Sequence, residues 1–268
     1  MPTPKDRLLE AVEKSGFPLE LRAAHLLQQF GYEVATNLYY VDQDEGKGRE
    51  IDIRALRNYK FRGVHDDDLW VRHCLFIQCK RSSKGPWAFF TSPATGYDAA
   101  LTDPLVSGLT TNAKWSEPPI PTLLQSTHPL GRLVRRGRSF TEPLKKEGTE
   151  ETIFSALVTA AKATINAVNS SFCAGYGSVC FYFPVVLLDG ELWDVHLKGD
   201  GSLDAEPASR VGFSFFYQSP NYQQRLLMPI VTWEDFKAFL QDLDKTLELI
   251  GAHFQRNQQV FMVRPGAA

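Results

Sequence analysis

Two segments of the chain carry acidic, amide and ammonium side chains at alternate positions. In the sequence GREIDI, Glu50 and Asp52 alternate with isoleucines, and in FIQCK, Gln78 and Lys80 alternate with isoleucine and cysteine. Because successive side chains of a β-strand point to opposite faces, each segment would bury an apolar face and present its polar groups on the other. If the two strands pair in matching register, the four polar side chains converge on one spot.

Such a cluster suits hydrolysis of a phosphodiester bond with the help of a divalent cation. Mg²⁺ prefers hard oxygen ligands, usually one or two carboxylates together with water and a substrate phosphate. Asp52 would supply the anchoring carboxylate, and Gln78 would supply a neutral amide oxygen. Lys80 would orient or help to deprotonate the attacking water and would stabilise negative charge on the phosphorane.

A further acid precedes these two strands. Residues 18–30 (PLELRAAHLLQQF) have apolar residues at helical spacing, begin with proline and are followed by Gly31, a typical helix stop. Glu20 lies in the first turn of this predicted helix, where its carboxylate could hold a second metal ion or a metal-bound water. An acid in the first turn also stabilises a helix dipole by roughly 0.3–1 kcal/mol without any catalytic role. The sequence leaves both interpretations of Glu20 open.

The order of these residues resembles that of the PD-(D/E)XK nuclease superfamily, which has the restriction endonuclease-like fold. An acid on the first helix is followed by the Asp of GREIDI and then by Gln-x-Lys in FIQCK. The resemblance implies that Asp52 binds the metal, Gln78 occupies the (D/E) position, Lys80 is the catalytic lysine and Glu20 is the accessory helix acid. It covers the first third of the chain well and the rest only by element order.

The chain departs from the family pattern at Gln78, where a carboxylate is more common. Mrr-like restriction enzymes use glutamine at this position, so the departure does not by itself imply inactivity. It removes one negative charge from the metal site, and we hypothesise that Glu50, on the same predicted face as Asp52, compensates for it. The resemblance further implies Mg²⁺ as cofactor, with Mn²⁺ as a substitute, DNA as substrate, and a homodimer where both strands of a duplex are cut.

The remaining elements predict an α/β fold with a mixed sheet flanked by helices. The family's core of helix, three strands, helix and strand (αβββαβ) matches the order of the predicted elements. We interpret residues 1–268 as a single elaborated domain, with a core at 15–190, an irregular proline-rich insertion at 91–148 and a C-terminal extension of strands and a helix at 190–268. The predicted elements are a helix at 18–30, strands at 33–41, 49–56 and 69–80, a helix at 150–170, strands at 179–188, 211–217 and 226–231, and a final helix from Thr232.

Basic residues near the end of the predicted insertion form a candidate nucleic-acid contact. On a mobile insertion, such residues would follow a phosphate backbone with salt-dependent, sequence-independent affinity, although a solubilising loop would have the same composition. Arg81 and Lys84 extend positive charge beside the candidate site, and the aromatic residues that follow them (Trp87, Phe89 and Phe90) are predicted to belong to the core. The candidate contacts within the insertion are Arg132, Arg135, Arg136 and Arg138.

Composition narrows the range of functions. The formal net charge is −2, so any binding of nucleic acid must depend on local basic patches and not on a global positive field. The four cysteines are too sparse for a disulfide scaffold and lack zinc-ligand spacing. With no signal-peptide pattern and no apolar run long enough for a bilayer, we expect a cytoplasmic protein with no membrane partner.

Two other functions are compatible with these features. The first is a catalytically inactive member of the same fold that binds nucleic acid or a protein partner, an interpretation favoured by Gln78 and the weakly acidic net charge. The second is an unrelated α/β binding protein. The decisive observation is whether Asp52 and Lys80 lie together or on opposite sides of the sheet.

Overall fold

The structure, a computed structural model, describes residues 3–13, 15, 17–62, 68–82, 85–94, 105–107, 129, 133–144, 152–170 and 178–256. Within these ranges the helices are α1 (Pro4–Glu13), α2 (Phe17–Gln29), α3 (Thr152–Asn169) and α4 (Trp233–Arg256). The strands are β1 (Glu33–Asp42), β2 (Lys47–Arg62), β3 (Asp68–Arg81), β4 (Trp87–Pro93), β5 (Leu105–Ser107), β6 (Arg135–Thr141), β7 (Ser178–Asp189), β8 (Leu192–Leu197), β9 (Leu203–Pro207), β10 (Arg210–Gln218) and β11 (Gln223–Thr232).

The strands form one mixed sheet with helices on both faces. Their order is β1-β2-β3-β7-β11-β10-β6-β4-β8-β9, with β5 paired to the first half of β7. The pairs β1–β2 and β2–β3 are antiparallel, whereas β3–β7 and β7–β11 are parallel. The chain therefore has the mixed α/β architecture that its sequence predicts.

Alternate residues of β3 show how the helices cover the two faces of the sheet. Leu75 and Ile77 pack in a core with residues of α2 and α4, whereas Cys74 and Phe76 pack with residues of α3. Since neighbouring strand residues point to opposite faces, α2 and α4 lie on one side and α3 on the other. The helix α2 ends where Gly31 adopts a φ of +77°, the left-handed conformation that glycine tolerates best.

A buried charge cluster anchors the β1–β2 hairpin. The Lys162 ammonium on α3 lies 2.8 Å from Asp42 Oδ2 and 2.9 Å from Asp44 Oδ2. Tyr217 and Ser219 hydrogen-bond Asp44 from the β10–β11 hairpin. We refer to Lys162, Asp42 and Asp44 as the lysine cluster. It fixes the turn between β1 and β2 against a helix and a second hairpin that come much later in the sequence.

Most predicted elements are confirmed, with differences in the first half of the chain. No helix is predicted at Pro4–Glu13, where α1 lies. The prediction of irregular structure throughout 91–148 is wrong for β5 and β6. Pairing of β5 with β7, and of β6 with β4 and β10, stabilises these two strands despite their weak local propensity. Trp87 and Phe89 are buried as predicted, while Phe90 is partly exposed. None of the helices in the described ranges is both long and apolar enough to span a bilayer.

Candidate active site

The two strands that carry the motif separate at the motif itself. Backbone pairing between β2 and β3 runs from Ile53–Ile77 to the far end of the hairpin. Beyond this pair, β2 stays paired with β1 as far as Lys47, and β3 stays paired with β7 as far as Arg81. The site therefore lies where the sheet opens between β2 and β3, a place where side chains can reach groups that the ladder leaves unpaired.

The Asp52 carboxylate occupies this opening. Continuing the β2–β3 register by one residue sets Asp52 opposite Gln78. Its Oδ2 accepts hydrogen bonds from Gln78 Nε2 at 2.6 Å and from the Cys79 backbone N–H at 2.7 Å. Within the described part of the chain, both hydrogen bonds of this carboxylate go to Oδ2, so that Oδ1 remains available to a ligand.

The Gln78 side chain is buried with an unsatisfied oxygen. Only 5% of the residue is exposed, and among the described residues Oε1 has no hydrogen-bond partner. The amide orientation follows from Asp52, because an ionised carboxylate accepts hydrogen bonds and cannot donate them. A buried oxygen without a partner costs about 1–3 kcal/mol, which a bound cation or water would relieve.

Glu20 responds to the charges of Asp52, Glu50 and Lys80. Burial and the negative charges of Asp52 and Glu50 raise the pKa of Glu20, while the charge of Lys80 lowers it. Burial likewise raises the pKa of Asp52, against the lowering effect of the Cys79 N–H and of Lys80. Carboxyl groups whose pKa values are raised by burial and by one another are stabilised in their charged form by an added cation.

The helix α2 places Glu20 at this point because its other face is anchored. Leu19 and Ala23 pack in the core that contains Ile53 and Ile77, so that the first turn of α2 lies beside the open end of β2 and β3. The half-buried position of Glu20 fits both an accessory acid and a charge on the helix dipole.

The acids do not by themselves form a close cage. Among the described residues, the group of three acidic, histidine or cysteine ligands whose atoms lie within 4.8 Å of one another is His196, Asp204 and Glu206, and not a set around Asp52. Glu50 is exposed, and its compensating role stays a prediction. A cation at the candidate site would therefore be held mainly by Asp52 and Gln78 oxygens, with water and substrate completing its shell.

The His196 group lies on the hairpin of β8 and β9 and already has cationic partners. Asp204 pairs with Lys198 at 3.3 Å, and Glu206 pairs with Arg135 at 3.3 Å. No sequence motif predicts a role for these residues, although acids alternate with apolar residues in β9 as they do in the GREIDI segment.

The arginines expected to contact nucleic acid are dispersed. Arg81 donates to the carbonyl of Glu13 at the end of α1 and lies 3.4 Å from Asp189, next to the candidate site. Arg135 pairs with Asp194 at 3.2 Å on β8. In the order of the sheet, the strand β6 stands four places from β3, so the structure does not bring its arginines to Asp52.

The two other described arginines of β6 differ sharply in accessibility. Arg136 is 3% exposed and donates to the carbonyls of Leu133 and Arg135, which leaves it no surface for a phosphate. Arg138 is exposed and donates to Ser92 and Ser214. Lys84 and Arg132 lie outside the described residues.

A scan against protein-family models, a search of curated proteins and a search of solved structures each found no match.

Proposed function

We propose that this chain is a metal-dependent nuclease that hydrolyses phosphodiester bonds of DNA. The proposal includes a restriction endonuclease-like core in which α2, β1, β2, β3, α3 and β7 form the αβββαβ arrangement. The parallel pairing of β3 with β7 and the position of α3 between them in sequence support this assignment. In this interpretation β4, β5 and β6 are additions inserted between β3 and α3.

The observation that carries the proposal is the pair of oxygens at the opening between β2 and β3. Gln78 Oε1 is buried and has no hydrogen-bond partner in the part of the chain that the structure describes, and the amide nitrogen of the same residue donates to the Asp52 carboxylate. A neutral amide oxygen beside a carboxylate oxygen that accepts no hydrogen bond from the described residues fits a hard divalent cation. Mg²⁺ bound there, or Mn²⁺ in its place, would stabilise charge on the scissile phosphate and lower the pKa of water.

The protein's own groups have separate tasks in the proposed reaction. Asp52 and Gln78 hold the cation, and the Cys79 N–H keeps the Asp52 carboxylate in position. Lys80 orients the attacking water, and its ammonium stabilises the negative charge that develops on the phosphate. Glu20 orients a further water of the metal shell, which is the role its raised pKa and its position beside Asp52 support.

A second candidate function is an inactive module of the same fold that binds nucleic acid or a protein. The observation in its favour is that Gln78 is an amide hydrogen-bonded to Asp52, while no described trio of carboxylates lies close together at the site. Such a module would keep the fold and the basic surface without turning over a substrate.

The test is cleavage of DNA by the purified full chain with Mg²⁺ or Mn²⁺, on plasmid, linear duplex and single-stranded substrates, with EDTA as the metal-free comparison. We expect cleavage that requires metal, and a rate that falls at least roughly 100-fold in Asp52→Asn and in Lys80→Ala, because each removes an electrostatic contribution at the reacting phosphate. Glu50→Gln should reduce the rate if Glu50 supplies the charge that Gln78 lacks.

The matched control is Lys237→Ala, which removes an exposed lysine on α4 and should leave the rate unchanged. Melting curves with and without Mn²⁺ separate the two candidates. DNA binding without cleavage and without any metal-induced rise in melting temperature would support the inactive module. Cleavage that survives Asp52→Asn and Lys80→Ala would refute this assignment of the site.

A further inference from the structure

Strands β4, β8, β9, β10 and β11 have a surface that faces away from α3. In β10, Phe213 and Phe215 pack in the core with α3, so that Ser214 and Phe216 point to the other side. In β4, Trp87 and Phe89 belong to the same core. Phe90 and Ser92 therefore point to the same side as Ser214 and Phe216, away from α3. We call the part of this surface that α4 leaves uncovered the open face: every second residue in 88–92, 193–197, 203–207, 212–218 and 223–227.

The open face carries no acid. None of its positions in these five strands is Asp or Glu, although the chain has a net charge of −2. The acids of β8 and β9 alternate with it and point to the opposite side, where Thr91 and Arg135 bind Asp194. The open face itself is therefore free of carboxylates, while Asp194, Asp204 and Glu206 of β8 and β9 point to the opposite side of these strands.

Aromatic rings and guanidinium groups are exposed together on this face. Phe216 is 54% exposed and Phe90 is 38% exposed. The Arg225 guanidinium lies 5.1 Å from the centre of the Phe216 ring, on the neighbouring strand.

Arg138 connects the two rings across the strands. Its Nε donates to Ser92 Oγ at 3.0 Å, and its Nη1 donates to Ser214 Oγ at 3.3 Å. Each of these serines lies two residues from an exposed phenylalanine on its own strand. Since residues i and i+2 share a strand face, Phe90, Arg138, Phe216 and Arg225 form one continuous patch.

We infer that the open face binds single-stranded nucleic acid, with bases stacked on Phe90 and Phe216 and phosphates paired with Arg138 and Arg225. This inference deepens the proposed nuclease function and rests on it for the nature of the polymer. Stacking on exposed aromatic rings tolerates any base, and the guanidinium groups supply the charge complementary to phosphates. In a duplex the base faces are stacked on one another, so the rings can take part only when the strand is single.

The test measures binding separately from cleavage. A labelled mixed-sequence single-stranded DNA is titrated with the full chain in EDTA, where no divalent metal is present, and its fluorescence anisotropy gives Kd. We expect binding that is tighter for the single strand than for the duplex of the same sequence. Phe216→Ala and Phe90→Ala should each weaken it roughly 5- to 150-fold. Arg138→Gln should make the dependence of log Kd on log salt concentration shallower, by the amount expected for the loss of roughly one phosphate contact.

Phe154→Ala is the matched control, because Phe154 is an exposed phenylalanine on α3, away from the open face. Equal loss of binding in this variant, or no loss in Phe216→Ala, would overturn the inference. Preference for the duplex, or capture of an acidic polypeptide with the same affinity, would also overturn it. Single-strand binding without any cleavage would leave the inference standing and refute the nuclease, whereas cleavage with unaffected binding in the Phe90 and Phe216 variants would do the reverse.

Discussion

Replacing Lys162 with methionine should destabilise the fold strongly. The Lys162 side chain is 5% exposed and the Asp42 side chain 4% exposed, and the ammonium lies within 2.9 Å of both Asp42 oxygens. Methionine keeps most of the volume but leaves two carboxylates without their cation. Removing one partner of a buried ion pair typically costs about 3–5 kcal/mol.

The assay is urea unfolding followed by far-UV circular dichroism at pH 7. Since 1 kcal/mol shifts the melting temperature of a chain of this size by roughly 2–4 °C, the loss also corresponds to about 6–20 °C in a thermal scan. The double variant Lys162→Met with Asp42→Asn should recover part of the loss, because it removes one of the uncompensated charges.

The matched control is Lys198→Met. Lys198 also pairs with a carboxylate, Asp204 at 3.3 Å, but its side chain is 51% exposed. An exposed pair contributes about 0–1 kcal/mol, so this variant should unfold almost as the parent does. If Lys162→Met lost no more stability than Lys198→Met, the lysine cluster would be solvated and the reasoning from burial would be wrong.

Two further predictions concern the pH dependence of stability. Burial raises the pKa of Asp52, so its charged form destabilises the metal-free protein above that pKa. Asp52→Asn should therefore raise the melting temperature measured by calorimetry in EDTA at pH 7. An unchanged or lower melting temperature would contradict this prediction. Burial acts to raise the pKa of Asp44, but hydrogen bonds from Lys162, Ser219 and Asn221 lower it to about 2. Asp44 therefore stabilises the fold above its unfolded pKa and loses this effect as the pH falls towards 2, so Asp44→Asn should flatten the stability curve between pH 4 and 2 in acid titrations of unfolding.

The sequence reveals the elements of the candidate site because they depend on local periodicity. Alternation in FIQCK correctly predicts that Ile77 and Cys79 share a buried face, and Ile53 joins them as the register pair Ile53–Ile77 indicates. In GREIDI the prediction that Ile51 and Ile53 share a face is wrong, because Ile51 packs with Cys74 and Phe76 on the α3 side of the sheet. The helix acid Glu20 follows from the proline and the apolar spacing of α2. What periodicity cannot predict is that β2 and β3 separate at Asp52, because this depends on their pairing with β1 and β7.

Interactions between segments that are far apart in the sequence cannot be predicted from local periodicity either. The lysine cluster joins α3 to a turn that lies 120 residues earlier in the sequence. One signal was available, since Lys162 is the single charged residue within the otherwise apolar and hydroxyl-rich helix Thr152–Asn169. A lone lysine in such a helix indicates either a snorkelling side chain or a buried partner.

The strand β6 illustrates a different difficulty. Its sequence, RRGRSFT, contains three arginines and a glycine, which indicate a solvated loop. In the structure Gly137 lies against Phe213, where a Cβ atom would come within 2.9 Å of the ring, and this close approach lets β6 pass beside β10. Packing between β6 and β10 therefore outweighs the composition of β6, and the sequence of this segment alone does not predict that it forms a strand.

The parallel pairing of β3 with β7 has a consequence for synthesis of the chain. Lys80 on β3 pairs with Leu188 on β7, and the two residues are more than a hundred positions apart in the sequence. In a nascent polypeptide that has emerged only as far as β6, the edge of β3 that later pairs with β7 therefore exposes unpaired N–H and C=O groups. Such an edge is prone to capture a strand from another newly made chain. The Asp52 and Gln78 opening becomes fixed only after the ribosome has released β7, late in translation.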